Sequence, residues 1–177
     1  MRQAFLATAP RSGSVSCVDG DIADADAIVA GALQTLDLTG PVAVLLLSTL
    51  AHVPTTIAAA RAVSSLMAAV PSGSHVVIYH LANDLDPSMP VAARHWNKTT
   101  PKPITLRSRA DILSFVSGLE LVPPGVVPVT EWRPGLGAPA GQEPSSAVAG
   151  ASSAQPLSVR SLLLPPVPVH GVVARKP

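Results

Sequence analysis

The chain has 177 residues, of which 47% are hydrophobic and 13% charged; that is enough apolar material for one domain with a buried core, and it excludes general disorder. Net charge is +1 and no basic cluster exceeds Arg107-Ser108-Arg109, which excludes a nucleic-acid surface built on a basic patch. The single cysteine, Cys17, excludes an internal disulfide framework and a cysteine-based zinc site.

Mean hydropathy is +0.40. The longest strongly apolar run is nevertheless only residues 42–47, far short of the roughly 18 to 20 residues of a membrane helix. The opening MRQAFLATAPRSGS lacks the apolar stretch of roughly 7 to 15 residues that marks a secretory signal. The expectation is a cytoplasmic protein without a membrane span, its free thiol suited to a reducing compartment.

Residues 15–18 (VSCV) read as a strand, with Cys17 as a small buried hydrophobe inside it. The strand runs into the turn Asp19-Gly20-Asp21. Residues 24–36 then carry Ala25, Ile28, Val29, Ala32, Leu33 and Leu36 at helical spacing, and Gly40-Pro41 breaks the pattern. Residues 42–47 form a continuous apolar run too short for a helix. They read as a strand buried on both faces, the mark of a parallel sheet covered by helices.

Thr55 or Thr56 caps the next helix, which carries Ile57, Ala60, Val63, Met67 and Val70 on one side. Pro71-Ser72-Gly73 ends it, and HVVIYH, residues 75–80, is the next strand. Strand, helix, strand, helix, strand with crossovers of this length describes half of a doubly wound α/β sheet.

A long connection follows over residues 81–106, rich in Asn, Asp, Pro and Thr, with helical character at 91–98 around Trp96. Ser108 and Asp111 stand at capping-box spacing. Ile112, Phe115 and Val116 give the helix behind them an apolar face, and Gly118 suits its C′ position. Residues 119–122 and 126–129 are extended. Residues 135–155 are nearly all Gly, Ala, Pro, Ser and Gln and read as a flexible insert. The terminal HGVVARKP reads as one last strand, antiparallel to its neighbours.

Three strand ends of this reading open on one edge, where ligands of open α/β sheets bind. The first carries Asp19, Gly20, Asp21 and Ile22. A carboxylate there can accept from an adenine amino group or a ribose hydroxyl, or simply cap the helix together with Asp24. The second carries Ser48, Thr49 and Leu50, followed by His52, which lacks a visible partner to orient its ring. The third ends at His80, with Asp84 and Asp86 close behind; this is a weak pattern for a metal, and no metal is expected. No nucleophile elbow, no P-loop and no G-x-G-x-x-G after a strand occur.

Five segments taken together resemble one family: SVSCVDGDIADADAI, PVAVLLLSTLAHVP, VPSGSHVVIYHLA, TLRSRADILSFVSGLELVPPGVVPVTEWRP and VVARKP. They resemble a group of bacterial S-adenosylmethionine-dependent methyltransferases, common in actinobacteria and long catalogued as a domain of unknown function. The run at residues 106–134 is the most specific match. The resemblance implies a class I, Rossmann-like methyltransferase fold with the last strand antiparallel, of which this chain lacks the first two strands. Residues 15–18 would be the family's third strand.

It further implies S-adenosylmethionine as cofactor. Asp21 would meet the adenine amino group, with Asp19, Gly20 and Ile22 beside it, and Ser48, Thr49 and Leu50 would lie near the methionine part. His52, His80 and Trp96 would stand on the side of an unidentified small-molecule methyl acceptor. The family's glycine-rich loop has no counterpart here. The resemblance therefore reads as the C-terminal portion of a methyltransferase domain (residues 1–134), an insert (135–156) and the terminal strand (157–177), truncated and weakly active or inactive alone. A self-associating chain or a complementing N-terminal piece would be its partner, without nucleic acid or membrane. The alternative is a non-catalytic remnant or interaction module that pairs through an exposed sheet edge.

Overall fold

A computed structural model of the protein describes residues 14–132 and 167–177; the insert expected at 135–156 lies outside them. The elements are α1 (Ala25–Ala32), β1 (Ala43–Leu47), α2 (Thr56–Ala68), β2 (His75–Leu81), α3 (Met89–Thr99), α4 (Arg109–Phe115), β3 (Glu120–Leu121), β4 (Val127–Pro128) and β5 (Val169–Arg175). Single 3-10 turns follow β1 at Thr49–His52 and β4 at Val129–Glu131.

The sheet runs β1-β2-β5-β3, with β4 also paired to β5. β1 and β2 are parallel, Ala43 opposite His75 and Leu47 opposite Tyr79, as a helical crossover requires. β5 returns antiparallel along the whole of β2, from His75–Arg175 to Leu81–Val169, as expected for the terminal strand. The class is α/β, with one mixed sheet whose terminal strand is antiparallel.

Local chemistry explains where the helices start. Thr55 accepts from the Ala58 N–H at 3.1 Å and caps α2. Ser108 and Asp111 close a full capping box on α4: the Ser108 hydroxyl accepts from the Asp111 N–H at 3.2 Å, and Asp111 accepts from the Ser108 N–H at 3.0 Å. At the other end of α2, the Lys176 ammonium donates to the carbonyls of Met67, Ala68 and Val70, the orphan acceptors of a helix C-terminus.

The core gathers on one face of the sheet. Leu46, Val76, Ile78, Val172 and Ala174 pack with Ala59, Val63, Leu66 and Met67 of α2 and with Ile112 and Phe115 of α4. On the other face Leu45 and Leu47 are each 57% exposed. This corrects the expectation that residues 42–47 are buried on both sides. Strand side chains alternate between faces, and among the described residues β1 is an edge strand with helical cover on one side only.

Residues 15–18 form no strand. They are extended and exposed, with Val15 at 46% and Val18 at 43%. A strand needs a neighbour for its N–H and C=O groups, and the free edge of β1 has none among the described residues. The segment lies along α1 instead: Ser16 and Thr35 share a hydroxyl hydrogen bond of 2.8 Å, and the Val18 side chain sits where a Cβ on Gly31 would fall. Cys17 is exposed, not buried, because no second layer covers it among the described residues. The helix expected at 91–98 is longer, Met89–Thr99, with Pro90 in its first turn, where the missing N–H is tolerated.

Candidate cofactor site

A cleft of about 660 Å³ opens beyond the carboxyl end of β1. One wall is Gly20, Asp21, Ile22 and Ala23, the turn before α1; the facing wall is Thr49, His52 and Val53; residues 101–103 close a third side.

The first wall is shaped by two aspartates with separate tasks. Asp24 caps α1, its carboxylate accepting from the Ala27 N–H at 3.0 Å. Asp21 folds the turn ahead of the cap, one carboxylate oxygen accepting from the Ala23 N–H at 2.9 Å. Its other oxygen has no hydrogen bond among the described residues. Because Asp24 takes the capping position, Asp21 stays at the rim of the cleft, exposed beside the half-buried Ile22.

The second wall begins at Ser48, a non-glycine residue in the left-handed region at φ 62°, a conformation that costs on the order of 1–2 kcal/mol. Its N–H is still fixed to the Tyr79 carbonyl at 2.8 Å, so the chain leaves the sheet abruptly into the 3-10 turn. The third side is tied to that turn twice: Thr105 N–H donates to the Ala51 carbonyl at 2.8 Å, and His52 Nδ1 meets the Pro103 carbonyl at 3.1 Å. A carbonyl only accepts, so Nδ1 carries a proton and donates this bond. Asn97 of α3 braces the same loop by bonding both the N–H and the C=O of Ile104 at 2.8 Å.

Of the residues expected at the site, Gly20, Asp21, Ile22, Thr49 and His52 line this cleft together. Asp19 is exposed just outside it. Ser48 shapes the turn, and Leu50 is a fully buried core residue beneath it. Trp96 is 52% exposed on α3 and does not reach the lining.

His80 also departs from its expected substrate side. It is fully buried, because alternation along β2 points it to the helix-covered face. Its Nδ1–H donates to the Leu81 carbonyl at 2.9 Å, and its Nε2 accepts from Arg107 at 2.9 Å. Burial foremost, and the nearby Arg107 charge, hold its pKa below the usual imidazole value. Arg107, 1% exposed, is a residue that sequence reasoning misses; in the sequence it stands out only as part of the short basic cluster Arg107-Ser108-Arg109. Its guanidinium donates to the carbonyls of Leu50 at 2.8 Å and Val53 at 2.6 Å and lies 5.4 Å from the Phe115 ring centre. The only signal in the sequence was its place between Leu106 and a capping Ser108.

Asp84, considered for a metal site with His80, instead accepts from the Arg109 N–H at 2.7 Å and pairs with buried His170 at 2.8 Å. Burial pushes the Asp84 carboxyl up, yet these bonds hold it below its ordinary value. No cluster of three His, Cys, Asp or Glu side chains suited to a metal occurs among the described residues. No helix among them is long and apolar enough to cross a membrane.

A sheet of this order, with a cleft beyond its carboxyl edge walled by an acidic turn and a strand-end turn, defines a methyltransferase-like α/β protein. The chain belongs to the S-adenosyl methyltransferase family, whose model matches residues 1–155. It is similar to a crystal structure of a DUF574 family protein from Streptomyces avermitilis MA-4680, with 27% identity and a TM-score of 0.75 over 99% of this chain and 60% of that one. Its fold is also that of a candidate methyltransferase from Thermobifida fusca YX, with 21% identity and a TM-score of 0.69 over 98% of this chain and 57% of the other. The chain thus spans about 60% of the length of the solved structures it matches. No curated protein matches it.

Proposed function

We propose that the chain contributes the adenine-side half of an S-adenosylmethionine site and that the cleft between Asp21 and Thr49 receives that end of the cofactor. The observation that carries this reading is the convergence of two separate segments, Gly20 to Ile22 and Thr49 with His52, on one cleft beyond a strand end in a member of the S-adenosyl methyltransferase family. The donor set fits the group. The uncommitted oxygen of Asp21 can accept from an exocyclic amine, and half-buried Ile22 offers an apolar surface to a purine ring.

The cofactor, when bound, supplies an electrophilic methyl on a sulfonium. The protein's part is to bind and orient it and to exclude water. The acceptor is an unidentified small molecule, and His52, its ring oriented by the Pro103 carbonyl, stands on that side of the cleft. The sequence offers no glycine-rich loop after a strand, so binding by this chain alone is weak, and turnover is low or absent without a complementing N-terminal piece.

NMR-monitored titration with S-adenosylmethionine tests the reading. Shifts confined to Gly20, Asp21, Ile22 and Thr49, removed by Asp21→Ala, are expected. Tight stoichiometric binding would refute the weakness; shifts elsewhere, or none at millimolar cofactor, would refute the site.

A second reading follows from the sheet edge. β1 has no outer neighbour among the described residues, and Leu45 and Leu47 are exposed beside a cavity of about 300 Å³ lined by Val77, Tyr79, Trp132 and Val173. An unpaired apolar edge invites strand addition, which suits an interaction module that self-associates. Sedimentation of the chain against its Leu45→Lys variant separates the readings: concentration-dependent association lost in the variant supports the module, and a monomer at every concentration excludes it.

A further inference from the structure

We propose that Arg107 is the positioning residue of the cofactor cleft: its buried guanidinium holds the turn Thr49–His52 in the shape that faces Asp21. The inference rests on the methyltransferase reading for what the cleft binds, but not for how the turn is held.

Arg107 reaches the turn from a fixed base. Its backbone is paired to the end of β2 on both sides, Arg107 N–H to the Leu81 carbonyl and Asn83 N–H to the Arg107 carbonyl, both at 3.2 Å. From there the side chain crosses to the neighbouring strand end. One terminal nitrogen uses both of its protons, on the Leu50 carbonyl and on His80 Nε2; the other donates to the Val53 carbonyl. Leu50 and Val53 bracket His52. With the Ala51 carbonyl taken by Thr105, three of the carbonyls around the turn are held by groups from residues 105 and 107.

No carboxylate forms an ion pair with this guanidinium among the described residues; Asp111 acts on it only through space. A buried cation without a counter-ion is an expensive way to stabilise a core, since apolar replacements of similar volume often serve as well. What an arginine adds is a rigid planar fork whose two terminal nitrogens reach separate acceptors, here Leu50 and His80 from one and Val53 from the other, whereas an ammonium donates from a single nitrogen. His80 completes the arrangement. Held neutral with its proton on Nδ1, it presents a lone pair to Arg107 and fixes the fork's rotation. The two groups the turn offers to the cleft, Thr49 and His52, thereby take their places from a residue that touches no ligand.

The test compares amide hydrogen exchange and cofactor titration in the wild type and Arg107→Lys. The amides of Ala51 and Val53 close the turn on Ser48 and Leu50, and that of Thr105 bonds to Ala51. In Arg107→Lys these three are expected to exchange at least tenfold faster while Val76 and Ile78 of β2 keep their protection, and affinity for S-adenosylmethionine falls about tenfold. Equal change at the turn and in β2 means general destabilisation and overturns the proposal, as does no change at the turn. A wild type that binds no S-adenosylmethionine sinks the cofactor reading alone, and the exchange pattern still decides the role of Arg107. Should the lysine variant fail to fold, the wild-type guanidinium resonances decide: separate, slowly exchanging Nη protons support the pin, and a single rotationally averaged signal overturns it.

Discussion

Lowering the pH by two units should destabilise this protein through one imidazole. His80 is fully buried, faces the Arg107 guanidinium and the Phe115 ring, and feels Asp111 only through space. Burial first, then the cation, lower its pKa in the fold from the ordinary 6.5. For a base whose folded pKa is depressed, the unfolded chain binds the extra proton. Stability is therefore full above about pH 6.5 and is lost as pH falls below it. From pH 7.5 to 5.5 the unfolded state gains at most about RT ln 10, or about 1.4 kcal/mol, over a folded state that takes up less proton. That sets a ceiling of about 3 to 6 °C on the fall in Tm from this imidazole for a chain of this size. Circular dichroism melts at the two pH values measure it, with His80→Gln as the control, since the amide oxygen can still accept from Arg107 but does not titrate. The depressed carboxyls of Asp84 and Asp111 lose their contribution only at lower pH, as protons return to them, outside this window. If wild type and His80→Gln lose the same Tm between pH 7.5 and 5.5, the imidazole is not excluded from protonation and the reasoning fails.

Leu46→Ala should cost about 2 to 5 kcal/mol in urea unfolding, because Leu46 is 4% exposed under α2, whereas Leu45→Ala one residue earlier should stay within about 0.5 kcal/mol; comparable losses would mean that both faces of β1 are covered. Ser108→Ala removes the hydroxyl arm of the capping box, the acceptor of the Asp111 N–H, while the backbone arm onto Asp111 remains; it should lower stability by about 1 kcal/mol, read as a shift in the denaturation midpoint at constant m-value. Lys176→Met strips the ammonium from three carbonyls at the end of α2 and should cost about 0.5 to 2 kcal/mol, with faster amide exchange in the last turn of that helix as its local signature.

Much of this architecture is legible in the sequence because it is set by local chemistry. Ser108 with Asp111, Thr55 before α2 and the short apolar run within HVVIYH each name an element from a handful of neighbouring residues, and the structure places all three as expected. The misreadings share a different cause. VSCV has the composition of a strand, and AVLLL that of a strand buried on both sides, but pairing and cover are supplied by other segments, and composition cannot say whether those segments are at hand. The same limit governs the site. Asp21 and Thr49 could be placed on one sheet edge because strand ends converge in any α/β sheet. His80 and Arg107 could not be placed, because their roles depend on which face a side chain takes and on a contact 27 residues apart. An exposed histidine and a buried one look alike in sequence; what distinguishes His52 from His80 is that one is oriented by a loop carbonyl at the rim and the other by a cation in the core. The cleft is thus built in two layers of different legibility: ligand-facing residues announced by strand ends, and a buried arginine behind them whose position follows only from the packed fold.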